Sequence, residues 1–66
     1  MQITVNGAAR EVEDGTTLPA LLEQLGLVVG SVVVEHNGTA LLRSEVLATP
    51  LSDGDALELI RAVAGG

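Results

Sequence analysis

Few side chains in this 66-residue sequence have the chemistry for catalysis. There is no cysteine and no lysine, His36 is the one histidine, and three arginines (Arg10, Arg43, Arg61) face nine acidic residues for a net charge of −6. The group that stands out is a main-chain one. Val63-Ala64-Gly65-Gly66 closes the sequence, and Gly66 offers an α-carboxylate, which is ionised at neutral pH because its pKa is about 3.3–3.7. A carboxylate is a poor electrophile until one oxygen becomes a good leaving group. Attack on the α-phosphorus of ATP achieves this: Mg²⁺ neutralises the phosphates, pyrophosphate departs, and the product is a glycyl adenylate. Gly65 and Gly66 lack Cβ and Ala64 adds only a methyl, so such an end can thread a narrow channel.

The other candidates are weaker. Asp53-Gly54-Asp55 brings two carboxylates together without the further oxygen ligands of a calcium loop, and it reads as a turn. His36 ends an apolar run with no evident nucleophile or second ligand and reads as structural or partly exposed. Glu11, Glu13 and Asp14 read as a solvated hairpin edge, whose charge discourages strand addition. With no glycine-rich phosphate loop and no lysine for phosphate, the machinery acting on Gly66 must lie in a partner enzyme. No stably bound cofactor and no metal are expected; ATP and Mg²⁺ belong to that partner.

Composition narrows the partners. The acidic field repels phosphate backbones and anionic lipid, so neither nucleic acid nor a membrane is expected as a partner. The N-terminus has no signal-peptide pattern. The most apolar run, Leu25 to Val34, is interrupted by Gly26, Gly30 and Ser31 and is too short to span a bilayer. A cysteine-free chain suits a reducing, cytoplasmic setting. Without lysine, the chain cannot form side-chain-linked polymers of itself.

The elements that must hold the end follow from periodicity. Met1, Ile3 and Val5 alternate with polar residues, Asn6-Gly7 signals a tight hairpin, and a second strand should run to about Val12. After Asp14-Gly15, Thr16 or Thr17 can cap a helix that tolerates Pro19 in its first turn. Leu18, Leu21, Leu22 and Leu25 fall on one helical stripe, and Gly26 suits a left-handed helix end. Val32 to His36 reads as a β-branched strand, and Asn37-Gly38 turns it into Thr39 to Leu42. Arg43 to Pro50 lacks periodicity and reads as a connection with room for one short helical turn. Ser52-Asp53-Gly54-Asp55 then turns into a last strand, from Ala56 to about Ala62. Alternation turns Val32, Val34, Leu57 and Leu59 inward and leaves Val33, Glu35, Glu58 and Ile60 outward.

Asp53-Gly54-Asp55-x-Leu57-Glu58, a short apolar strand and Val63-Ala64-Gly65-Gly66 together resemble the ubiquitin-like sulfur carriers of bacterial cofactor synthesis, most of all the thiamin branch, ThiS. Met1-Gln2-Ile3, the Thr16/Thr17 helix entry, Asn37-Gly38 and Arg43-Ser44 fit the same pattern. Leu42 stands where a proline is common and Val46 where an aromatic is common. The small subunit of molybdopterin synthase shares the Gly-Gly end but typically has prolines shortly before it, and Ile60-Arg61-Ala62-Val63 has none.

The resemblance implies an α+β fold: a single β-grasp domain over residues 1–62, a mixed sheet of four to five strands curled round one helix, and a flexible tail over 63–66. It also implies a protein co-substrate, with no enzymatic activity of its own. A ThiF-like adenylyltransferase would activate Gly66, a sulfur donor such as a cysteine desulfurase would load it as a thiocarboxylate, and a ThiG-like thiazole synthase would take the sulfur. Val63, Ala64 and Gly65 would thread the partner's channel. If the third and last strands pair, Val33, Glu35, Glu58 and Ile60 make a docking patch beside the tail. The free carrier is expected to be a monomer. Sulfur carriage for molybdopterin or another cofactor, and ubiquitin-like protein modification, begin with the same activation and remain the alternatives.

Overall fold

The computed structural model describes residues 1–61; residues 62–66, and with them Val63, Ala64, Gly65 and Gly66 of the expected tail, lie outside the described residues. Seven elements follow in order: β1 (Gln2–Val5), β2 (Ala8–Glu11), α1 (Leu18–Gln24), β3 (Val32–His36), β4 (Thr39–Ala40), α2 (Arg43–Ala48) and β5 (Ala56–Arg61). Both Asn-Gly pairs form the expected hairpin turns. Asn6 and Asn37 sit at φ 51° and 50°, each followed by a glycine with positive φ, the pair of left-handed residues that matches the twist of two joined strands.

Helix α1 obeys its local signals. Thr17 caps it, accepting a hydrogen bond from Ala20 N at 3.3 Å, and Pro19 occupies the first turn. At the other end Gly26 takes φ +74°, Gly26 N donates to Glu23 O and Leu27 N donates to Leu22 O, so the last carbonyls are satisfied by a Schellman turn. Leu18, Leu21 and Leu22 are fully buried and Leu25 packs at the margin. Burying each of the three contributes about 1.5–3 kcal/mol.

The sheet order is β2-β1-β5-β3-β4. Both hairpins are antiparallel, β1 and β5 are parallel, and β3 and β5 are antiparallel. The last strand is thus the middle of the sheet, joining two hairpins that otherwise do not meet. Ile3, Val34 and Leu57 project onto the leucine face of α1, with Val12, Val46 and Leu51 closing the core.

One element is longer than the sequence suggests. The stretch from Arg43 holds a six-residue helix, α2, so two helices rather than one accompany the five strands. Glu45 stabilises its start by accepting from Leu42 N at 2.7 Å, and Thr49 ends it by donating its hydroxyl to Glu45 O. β4 is also shorter than expected, stopping at Ala40 where the chain turns into α2.

Candidate functional site

β5 is the last described element and leads into residues 62–66, so whatever holds β5 sets where they leave the sheet. At its start, Asp55 is buried (8% exposed) and its carboxylate is fully used. Oδ2 lies 2.8 Å from His36 Nε2 and accepts from Ser52 N at 2.8 Å, while Oδ1 accepts from Asn37 Nδ2 at 3.1 Å. Burial pushes the Asp55 pKa up, but the hydrogen bonds from His36, Asn37 and the Ser52 N–H outweigh it, leaving the carboxyl below its ordinary range. Asp53 serves a different neighbour. Its Oδ1 accepts from Gln2 N at 2.7 Å, and Gly54 N donates to Gln2 O. The Asp-Gly-Asp run is therefore a turn whose two carboxylates, Asp55 and Asp53, lock β5 to β3 and to β1 respectively. His36 and Asp55 each stand out in the sequence, but nothing there joins them.

The turn asparagines also grip β5. Asn37 Oδ1 accepts from Ala56 N at 2.8 Å, and Asn37 N donates to Ala56 O at 2.8 Å. Asn6 Oδ1 accepts from Leu59 N at 2.7 Å, and its Nδ2 donates to Leu59 O at 3.4 Å. Sequence reasoning assigns these residues to turns and misses the grip. The available signal is their amide, which carries both a donor and an acceptor, at a turn position that glycine or aspartate also fills.

The register brings the four outward residues of β3 and β5 onto one face. Val33 stands opposite Ile60, and Glu35 opposite Glu58. Val33 is 44% exposed and Ile60 50%, so two apolar side chains and a pair of facing like charges lie on one face next to Arg61, the end of β5. Like charges directly opposite across a ladder disfavour pairing, and a cationic partner surface would relieve them. Arg61, the last described residue, borders a groove with Gly26, Leu27, Val28 and Ser31. A second groove, about 260 Å³, opens between β3 and α2 and is lined by Leu22, Val34, Leu41, Arg43 and Val46 among others. Among the described residues, no cluster of three or more His, Asp or Glu side chains could hold a metal ion, and no helix is long and apolar enough to cross a membrane.

A five-stranded mixed sheet in this order, wrapped on a leucine-faced helix and ending in its central strand, defines a β-grasp, ubiquitin-like domain. The crystal structure of the thiamine biosynthesis protein ThiS from Geobacter metallireducens superposes with a TM-score of 0.83 at 36% identity, covering all of both chains. The solution structure of a thiamine biosynthesis protein from the same organism gives 0.78 at 36% identity, covering all of this chain and 88% of that one. The ThiS family model matches residues 3–66. The sulfur carrier protein ThiS of Thermus thermophilus is 39% identical over 64 residues, 97% of this chain and 98% of that protein. The chain belongs to the ThiS family of sulfur carriers. It is also 36% and 33% identical, over its whole length, to part of the thiazole synthases of Magnetococcus marinus and Paramagnetospirillum magneticum, and spans 20% of the length of each.

Proposed function

We propose that this chain carries sulfur as a thiocarboxylate on Gly66 and delivers it to a thiazole synthase in thiamin biosynthesis. The observation that carries the reading is a family match that runs through the whole fold to Gly66 itself, together with a ThiS relative of nearly the same length. The similarity of two thiazole synthases to this chain over part of their length supports such an enzyme as the acceptor.

In this reading the chain is a co-substrate. A ThiF-like adenylyltransferase supplies ATP and Mg²⁺; the Gly66 carboxylate oxygen attacks the α-phosphorus, pyrophosphate leaves, and a glycyl adenylate forms. The terminal sulfur of a persulfide, formed by a donor such as a cysteine desulfurase, then attacks the acyl carbon and AMP departs, leaving an acyl disulfide; a thiol reductant attacks its inner sulfur, which releases the Gly66 thiocarboxylate and leaves the thiol and the donor sulfur joined as a disulfide. Val63, Ala64 and Gly65 span the partner's channel, their small side chains keeping the passage narrow. Val33 and Ile60 supply the apolar contact of docking, and Glu35 and Glu58 steer a basic partner surface toward it. The fold's contribution is to present the end and the patch together, while the reacting groups stay in the partner.

The test is to incubate the chain with a ThiF-like enzyme and ATP, then add the sulfur donor and a thiol reductant. Pyrophosphate release followed by a mass gain of about 16 Da, oxygen replaced by sulfur, is expected. A chain lacking Gly66 should show neither. Undiminished loading of the shortened chain would overturn the reading, and covalent ladders in place of the mass gain would mark a protein modifier.

A further inference from the structure

The backbone pairing of β1 with β5 ends at Val5 opposite Leu57, because the chain turns away at Asn6. Two residues further along β5 the ladder is continued by a side chain. The Asn6 amide meets Leu59 as a backbone peptide would, accepting from its N–H at 2.7 Å and facing its C=O with the Nδ2 donor at 3.4 Å. Asn6 N meanwhile donates to Leu57 O at 2.9 Å. One residue thus binds β5 at two successive positions on the side that β1 has left. The turn holds the backbone of that residue in place, at φ 51° with Gly7 following at positive φ, and the amide's two contacts with Leu59 orient its side chain.

We infer that Asn6 is a positioning residue for the carrier reaction: its side chain sets the last point at which β5 is held on its β1 side, two residues before β5 ends at Arg61. The inference rests on the carrier reading above. β3 supports the other side of β5 as far as Arg61, opposite Val32, so the last clasp on the β1 side falls at Leu59. The docking residue Ile60 and the tail root Arg61 follow immediately. Releasing Leu59 frees one edge of β5 just before the docking patch hands over to the tail. The tail would then start from a distribution of directions, and fewer docked complexes would have Gly66 at the α-phosphorus. Docking itself, through Val33, Glu35, Glu58 and Ile60, would change little. Asn37 holds the opposite end of β5, at Ala56, and has no such link to the tail.

Asn6→Gly separates the clasp from the turn, because two glycines form the same left-handed turn without the amide. Hydrogen exchange followed by NMR should show the Leu59 amide exchanging about 10-fold faster, as expected for losing one net hydrogen bond, while Ile3 and Val34 stay protected. In adenylation with a ThiF-like enzyme, kcat should fall about 3- to 10-fold with KM for the carrier within about 2-fold of the parent. Unchanged Leu59 exchange would remove the clasp, and faster exchange with unchanged kcat would remove its positioning role. A rise in KM with kcat preserved would move Asn6 to docking and overturn the inference. A parent chain that is not adenylated at all would instead sink the carrier reading, and with it any role for Asn6 in that reaction.

Discussion

Asp55 shows how much one residue holds at the start of β5. Its carboxylate answers donors from β3, from the β3–β4 turn and from its own loop, so removing its charge loosens three segments together. Its pKa is lower in the folded chain than the ordinary 3.8, so its stabilising contribution is complete above that pH and is lost as pH falls through the depressed folded value. Chemical denaturation should therefore show a stability loss below about pH 3.8 that Asp55→Asn largely removes. At pH 7 the same substitution should cost about 1–3 kcal/mol, because Ser52 N and His36 lose a charged acceptor. Equal pH profiles for the two proteins would show that the clasp contributes no proton linkage. At this scale the sequence is legible for backbone conformation and not for partners. Asn6 and Asn37 announce turns because few residues accept positive φ, whereas the strand their amides reach is settled by tertiary packing.

At the scale of the element, the proposed docking face on β3 and β5 would set recognition against stability. Glu35 faces Glu58, an arrangement that destabilises the ladder it belongs to. Glu58→Lys should raise folding stability by about 0.2–1 kcal/mol in urea melts. It should also slow association with a basic adenylyltransferase more than it changes dissociation, as stopped-flow kinetics would show. Faster association would remove the acidic steering role. The faces of Val32 to His36 and of Leu57 to Ile60 are readable from residue order alone, since a period of two assigns every side chain to one side. Helix α2 is not readable in that way. Six residues make fewer than two turns and bury only Val46, so no stripe can repeat. Val46 also lines the groove of about 260 Å³, and Val46→Leu should fill part of it and raise stability by about 1 kcal/mol without changing the urea m-value. A loss of stability would show that the groove walls are too rigid to accept another methylene.

For the molecule as a whole, the net charge of −6 and the absence of lysine describe a small anionic body whose encounters depend on salt. Its association rate with the proposed basic partner should fall as ionic strength rises, while residence time changes less, because apolar contacts made by Val33 and Ile60 in the proposed docking would not be screened. The β-grasp topology itself comes from resemblance, since periodicity yields elements without their order. Nothing in the local pattern of Ala56 to Arg61 says that this strand lies in the centre of the sheet.

That central place bears on how the protein is made. Synthesis proceeds from the N-terminus, so the strand that unites the two hairpins is translated after both of them, immediately before the tail. A nascent or clipped polypeptide that stops short of Leu57 has two β-ribbons with no ladder between them and a leucine helix with half a sheet to cover. Cooperative folding therefore selects polypeptides that have been extended through β5. The pool of folded carriers is thereby depleted of copies that stop before β5.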